Sequence, residues 1–202
     1  MSKKETSTSK IRRPTKPIPW NEIKQTLLHL EQEKEFHYLL IISVGVFTGY
    51  RISEMLLLKY SDFDGELLNI RERKTTKQRE VRIVPELRRI VKLCQQELLR
   101  KEEHHLFVRE RFFSDKPISK SAAITRIRKA LQHTGIKGKH LTAHTLRKTF
   151  ALRYYILIEN TEGPYKALSE LSRQFNHANT EITRQYIGTQ GQVIDNIFDD
   201  FF

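Results

Sequence analysis

Residues 67–84 read LLNIRERKTTKQREVRIV, two short aliphatic runs on either side of a densely cationic stretch. Leu67–Ile70 and Val81–Val84 have the content of strands, and between them Arg71, Arg73, Lys74, Lys77, Arg79 and Arg82 carry more charge than a core accepts. The stretch therefore predicts a β-hairpin with a charged, solvent-facing tip. A turn cluster of Ser61, Asp62, Asp64 and Gly65 leads into it, and Pro85 closes it. The rest of the chain has helical periodicity, so the expected fold is mainly α with a small antiparallel β-sheet, an α+β protein.

Upstream of the hairpin, Trp20, Ile23, Leu27 and Leu30 recur at helical spacing behind Pro19. A second helix is expected over about 36–47, ending at Thr48 and Gly49. A third begins around Arg51 and carries Ile52, Met55, Leu56 and Leu58 towards Lys59. Downstream, helices are expected at about 86–100 and at 119–133, the latter capped by Ser119 and closed near Gly135. A long helix starts near Thr142, and others are expected at about 164–175, 180–187 and 193–202. Residues 1–18 are Ser, Thr, Lys, Arg and Pro with almost no apolar content, so they read as a flexible basic arm ahead of one domain over 19–202.

Charge narrows the partners. The chain has 36 Lys and Arg against 24 Asp and Glu, a formal charge of +12, which favours a polyanionic partner without choosing among DNA, RNA, membrane surface and ribosome. The single cysteine, Cys94, excludes an internal disulfide framework and points to a reducing compartment; its apolar neighbours Val91, Leu93 and Leu98 suggest a buried thiol. The longest apolar run, Tyr38 to Val46, is too short to span a bilayer. A cytoplasmic protein is expected, associated with the nucleoid if bacterial.

Three residue pairs carry the chemistry. Arg51 and Glu54 are three apart just after the Thr48-Gly49-Tyr50 turn; His144 and Arg147 share that spacing on the long helix, so both side chains project from one face; Tyr186 follows His177 by nine positions. Each alone is common, as a surface ion pair or a solvated helix face. Together, in this order and with Lys74 on the intervening hairpin, they resemble the tyrosine site-specific recombinases of the phage integrase family. The first arginine box is similar to Thr48 through Glu54, the second to His144-Thr145-Leu146-Arg147, and the closing histidine and tyrosine to His177 and Tyr186. Asn176 stands where the family usually has glycine, Lys148 and Gly188 where histidine is common, and the interval from Arg147 to His177 is long, with Glu159 to Gly163 read as an inserted loop.

The resemblance implies the recombinase catalytic-domain fold, and metal- and ATP-independent strand cleavage and rejoining through a 3′-phosphotyrosyl bond to Tyr186. The chemistry fits the residue types. In-line attack on a phosphodiester builds negative charge on its non-bridging oxygens, and Arg51 and Arg147 offer bidentate donors of permanent charge, with His177 as a third. His144 suits proton traffic at the tyrosine, Lys74 the protonation of the leaving 5′ oxygen, and Glu54 the orientation of its neighbours. No cofactor or metal is expected. Lys77 remains a rival to Lys74, and Tyr50, Tyr154, Tyr155 and Tyr165 are competing tyrosines with packing roles expected. A catalytically silent DNA-binding accessory and a type IB topoisomerase-like relaxer are the alternative functions.

Double-stranded DNA is the expected partner. Arg73, Lys77, Arg79, Lys139, His140 and Lys148 are candidate phosphate contacts, together with Arg126, Arg128, Lys129 and Lys137. In the tail, Ile194, Ile197, Phe198, Phe201 and Phe202 form one apolar stripe flanked by Asp195, Asp199 and Asp200. The family commonly passes this segment to a neighbouring protomer, so residues 193–202 are expected to support a DNA-bound homo-oligomer, ultimately a tetramer. Most family members carry a further N-terminal helical domain, so the sequence fits either an excised catalytic domain or a single-domain recombinase.

Overall fold

The computed structural model describes residues 15–71, 78–109, 116–138 and 140–188. In chain order the elements are α1 (Trp20–Gln32), α2 (Phe36–Thr48), a short α3 (Ile52–Met55), a 3-10 turn at Tyr60–Phe63, β1 (Leu67–Arg71), β2 (Gln78–Arg82), α4 (Pro85–Glu97), α5 (Lys120–His133), α6 (Ala143–Glu162), α7 (Pro164–Phe175) and α8 (Thr180–Ile187). The expected mainly helical fold with one two-stranded antiparallel sheet is what is found among the described residues. None of the described helices is long and apolar enough to cross a membrane.

The strands pair with Leu68 opposite Val81, and both are buried while Leu67 is exposed, so one sheet face rests on the core. The second strand begins earlier than expected. It covers Gln78–Arg82 rather than Val81–Val84, because Arg71 pairs with Gln78 and Val84 already serves as the cap of α4, with Pro85 in its first turn. Arg73, Lys74 and Lys77, expected on the hairpin from the sequence, lie outside the described residues, as do Lys139 and the tail 193–202.

Helix α2 is apolar around its whole circumference and is accordingly the buried axis of the fold. It packs closely on α6: a Cβ on Gly45 would stand 2.5 Å from Leu146 Cδ1, so glycine sets the approach of the two helices. α2 ends on Gly49 in the left-handed conformation, φ 59°. The third helix is a single turn rather than a run to Lys59. The reason is long-range: the Leu58 carbonyl accepts from Leu106 N–H at 2.9 Å and Tyr60 N–H donates to the His104 carbonyl at 3.2 Å, which draws this segment out of the helix.

The inserted loop expected at Glu159 to Gly163 is also absent. Residues 159–162 extend α6, and the single residue Gly163, φ 84°, separates it from α7, which starts on Pro164. Packing begins one residue ahead of the expected boundary at Pro19, since Ile18 is buried and its N–H donates to Thr149 Oγ1 at 2.9 Å. Cys94 is buried on α4, as its neighbours suggested, and burial pushes its thiol up to about 12.

Two apolar clusters result. The larger lies among α1, α2, α4 and α5; the smaller joins Phe150, Ala151 and Tyr155 of α6 to Leu168, Leu171 and Phe175 of α7 and Ile187 of α8. α6 runs through both, with Leu146 in the first and Phe150 in the second. Arg147 lies on the turn between them.

Candidate active site

The turn after α2 organises the first half of the site. Arg51 caps α3 in an extended conformation, and Glu54 grips it twice: Oε2 accepts from the Arg51 backbone N–H at 2.7 Å and Oε1 from its guanidinium at 2.9 Å. Glu54 is buried while the Arg51 side chain is 41% exposed, so the carboxylate aims the cation outward from a fixed base. The same turn holds the second arginine. Arg147, only 3% exposed, donates to the Gly49 carbonyl at 2.5 Å and lies 3.8 Å from the centre of the Phe175 ring. One turn therefore serves both arginines: the Gly49 carbonyl accepts from Arg147, and Arg51 follows two residues on.

The second half is built where α6, α7 and α8 meet. Thr142 caps α6, accepting from His144 N–H at 3.2 Å, which fixes the first turn with His144 and so the start of the helix that carries Arg147 and Lys148. α7 ends at Asn176 with φ 53°, a left-handed residue that asparagine tolerates better than most. This is the position where the family usually has glycine. The reversal delivers His177 to a half-buried place, its Nδ1 hydrogen-bonded with Thr183 Oγ1 at 2.9 Å. Asn179 caps α8 through Ile182 N–H at 3.0 Å, and the Tyr186 ring meets His177 at 5.5 Å and Phe175 at 5.6 Å between centres, both edge-on. The Tyr186 hydroxyl oxygen is shielded from solvent.

The structure thus brings Arg51, Glu54, His144, Arg147, Lys148, His177 and Tyr186 into one cluster. Their mutual reach shows in the imidazoles. Both His144 and His177 fall below the usual 6.5, first because the site strips water from them and then because Arg147 and Arg51 repel a third positive charge; Lys148 adds to this at His144. His140 is exposed in the loop before α6, where its carbonyl accepts from Thr145 Oγ1 at 3.2 Å. Arg79 is placed by its strand backbone opposite Ile70.

The competing tyrosines are elsewhere. Tyr50 is buried and donates to the Leu68 carbonyl at 3.1 Å, tying the turn to β1; Tyr155 donates to Glu159 at 2.8 Å; Tyr154 stacks on Phe150; Tyr165 is 87% exposed at the start of α7. Two residues to which the sequence alone assigns no role are central here. Phe175 touches Arg147, His177, Tyr186 and Phe150, and Thr183 fastens α8 to His177. Thr183 shares a helix face with Tyr186 three residues on, a weak signal that was available; nothing local marks Phe175.

The depressed histidines set a pH dependence. As pH falls through 6.5 the unfolded chain takes up protons before the folded one does, so stability is full above 6.5 and declines as pH drops towards the folded values. The urea midpoint is expected to be lower at pH 5.5 than at pH 7.5, and the difference to shrink in His177→Gln. An unchanged difference in that variant would contradict the assignment.

Comparison with known proteins places the arrangement. The sequence model of the phage integrase family matches residues 18–192. The XerA recombinase structure superposes with a TM-score of 0.71 at 22% identity, covering 93% of this chain and 65% of that one. The XerH site-specific recombinase in its post-cleavage complex with palindromic difH gives 0.68 at 20% identity, over 92% and 53%. A lambda integrase dimer bound to a COC′ core site gives 0.62 at 18% identity, over 93% and 51%. The chain thus spans from about half to just under two thirds of the length of these structures. A comparison with curated proteins found no match. The match over residues 18–192, together with a fold shared along nearly the whole chain, shows that it belongs to the phage integrase family.

Proposed function

We propose that this chain cleaves and rejoins DNA at specific sites, with Tyr186 as nucleophile. The observation that carries the reading is the convergence of Arg51, His144, Arg147 and His177 with Tyr186 in one cationic cluster, built from segments far apart in sequence. Tyr186 Oη attacks the scissile phosphorus, an O–P bond forms to a 3′ phosphate, and the bond to the 5′ oxygen breaks. Arg51 and Arg147 neutralise the charge that grows on the non-bridging oxygens, and His177 adds a donor. Glu54 keeps Arg51 aimed. His144, whose basicity is lowered first by burial and then by the cations around it, accepts the phenol proton. Attack by a different 5′ hydroxyl reverses the steps and reseals the strand, so the phosphotyrosine conserves the bond energy and neither ATP nor a metal ion is consumed.

The leaving 5′ oxygen requires a proton, and Lys74 at the hairpin tip is the proposed donor. Lys74→Ala is expected to slow cleavage of an ordinary suicide substrate by about 10²-fold or more. A substrate with sulfur in place of the bridging 5′ oxygen, which leaves without protonation, should restore the rate. If Lys77→Ala shows this rescue and Lys74→Ala does not, the roles are exchanged.

Several of the matched structures hold DNA, among them lambda integrase as a tetramer on a Holliday junction. For this chain we infer a DNA-bound oligomer linked by the tail 193–202, whose apolar stripe seeks a protein surface. Deleting residues 193–202 should leave strand cleavage intact and abolish two-site assemblies on native gels; assembly at wild-type level would contradict this. The reading as a whole is tested by trapping covalent complexes on a genomic library and sequencing the attached DNA. A short recurring motif is expected, whereas random sequence would indicate a non-specific relaxer.

A further inference from the structure

From the packing around Tyr186 we infer that Lys148 sets the ionisation of the nucleophile, acting as a fixed positive charge beside the phenol. The inference rests on Tyr186 being the attacking group. Lys148 follows Arg147 on α6 and lies one helical turn beyond His144, so it belongs to the face that lines the site. Its Nζ stands 5.2 Å from the centre of the Tyr186 ring, within the range of a cation–ring contact. The side chain is half-buried, and loss of water lowers its pKa. Holding an amine there is unfavourable by itself, unlike a lysine stretched into solvent to meet a phosphate.

The other charged groups around Tyr186 are otherwise engaged. His177 touches the ring, but burial and then Arg147 and Arg51 disfavour its charged form. Arg147 is directed at the Gly49 carbonyl and the Phe175 ring. Arg51 is gripped by Glu54. On α8 itself Arg184 faces Glu181 at 3.7 Å, so the two charges largely offset one another. Among the described residues, Lys148 is the cation whose contact with the Tyr186 ring is observed. A tyrosine in water titrates near 10, and a positive charge held against the ring favours the phenolate. The proton released goes to solvent in the free protein and to His144 during cleavage.

The test separates this role from DNA binding by leaving DNA out. Protein labelled with ¹³C at tyrosine Cζ, with the Tyr186 signal assigned by its loss in Tyr186→Phe, is titrated by NMR. Lys148→Met is expected to raise the Tyr186 midpoint by about one pH unit or more, and Lys148→Arg to leave it within a few tenths. The signals of Tyr50 and Tyr155, unchanged, would show that the fold is intact. An unmoved Tyr186 midpoint in Lys148→Met overturns the inference, as does Lys148→Arg behaving like Lys148→Met. The pH dependence of adduct formation on a suicide substrate should move with the titration. A wild type that forms no adduct would sink the proposed function but leave the titration to decide the role of Lys148. A change confined to the salt dependence of DNA binding, with the titration unmoved, would make Lys148 a phosphate contact and overturn the inference.

Discussion

Arg147→Ala is expected to reduce single-turnover cleavage of DNA by roughly 10²–10³-fold, the cost typical of removing one preorganised donor from a site that stabilises an oxyanion. Arg147 is almost wholly buried, and its guanidinium meets a carbonyl oxygen and a ring face, so beside its proposed role at the phosphate it holds its place in the fold. Its loss therefore has a second consequence. The Gly49 carbonyl is left buried without this donor and a cavity opens above Phe175, which together should destabilise the fold by about 2 kcal/mol or more. Arg147→Lys separates the two effects. It keeps the charge and much of the stability, measured by urea denaturation, but it lacks the fork that spans two phosphate oxygens. If cleavage by the lysine variant matched wild type, the bidentate role would be wrong.

Gly49→Ala should have the largest effect on stability of any methyl added to this site. The residue sits at φ 59°, where a side chain costs about 1 kcal/mol or more, and the new Cβ would press into the Phe150 ring. Phe150 stacks between Tyr154 and Phe175, so it has little room to yield. Strain and overpacking together amount to about 2–4 kcal/mol, which lowers the melting temperature by roughly 5–15 °C in a domain of this size. Because the Gly49 carbonyl holds Arg147 and the turn places Arg51, residual folded protein should also cleave poorly. A melting temperature within about 2 °C of wild type would show that the turn is not held as described.

These two residues show what the sequence could and could not reveal. Arg147 was legible because helical spacing puts it on the face of His144, a property of one element read locally. Gly49 was legible as a helix stop but not as the acceptor for Arg147, a contact between positions 98 residues apart. Phe175 was hidden for the same reason: its neighbourhood reads as an ordinary amphipathic helix, and its role arises only when α6, α7 and α8 meet. Among the helices, α1, α5, α7 and α8 followed from caps, prolines and periodicity. The bounds of α3 and β2 were not legible, because distant partners or a neighbouring helix cap decide them. Residues 159–162 suggest a loop by the long interval to His177, yet their sequence has no glycine or proline to stop a helix before Gly163.

The central claim is a covalent bond between Tyr186 and DNA. The direct measurement is mass spectrometry of the peptide–DNA adduct recovered after incubation, in the presence of chelator and without ATP, with a nicked suicide substrate carrying the recovered target motif. The account requires a 3′-phosphate linkage on the peptide containing Tyr186, and no adduct with Tyr186→Phe. An adduct on Tyr50, Tyr154, Tyr155 or Tyr165, or undiminished adduct with Tyr186→Phe, would contradict it.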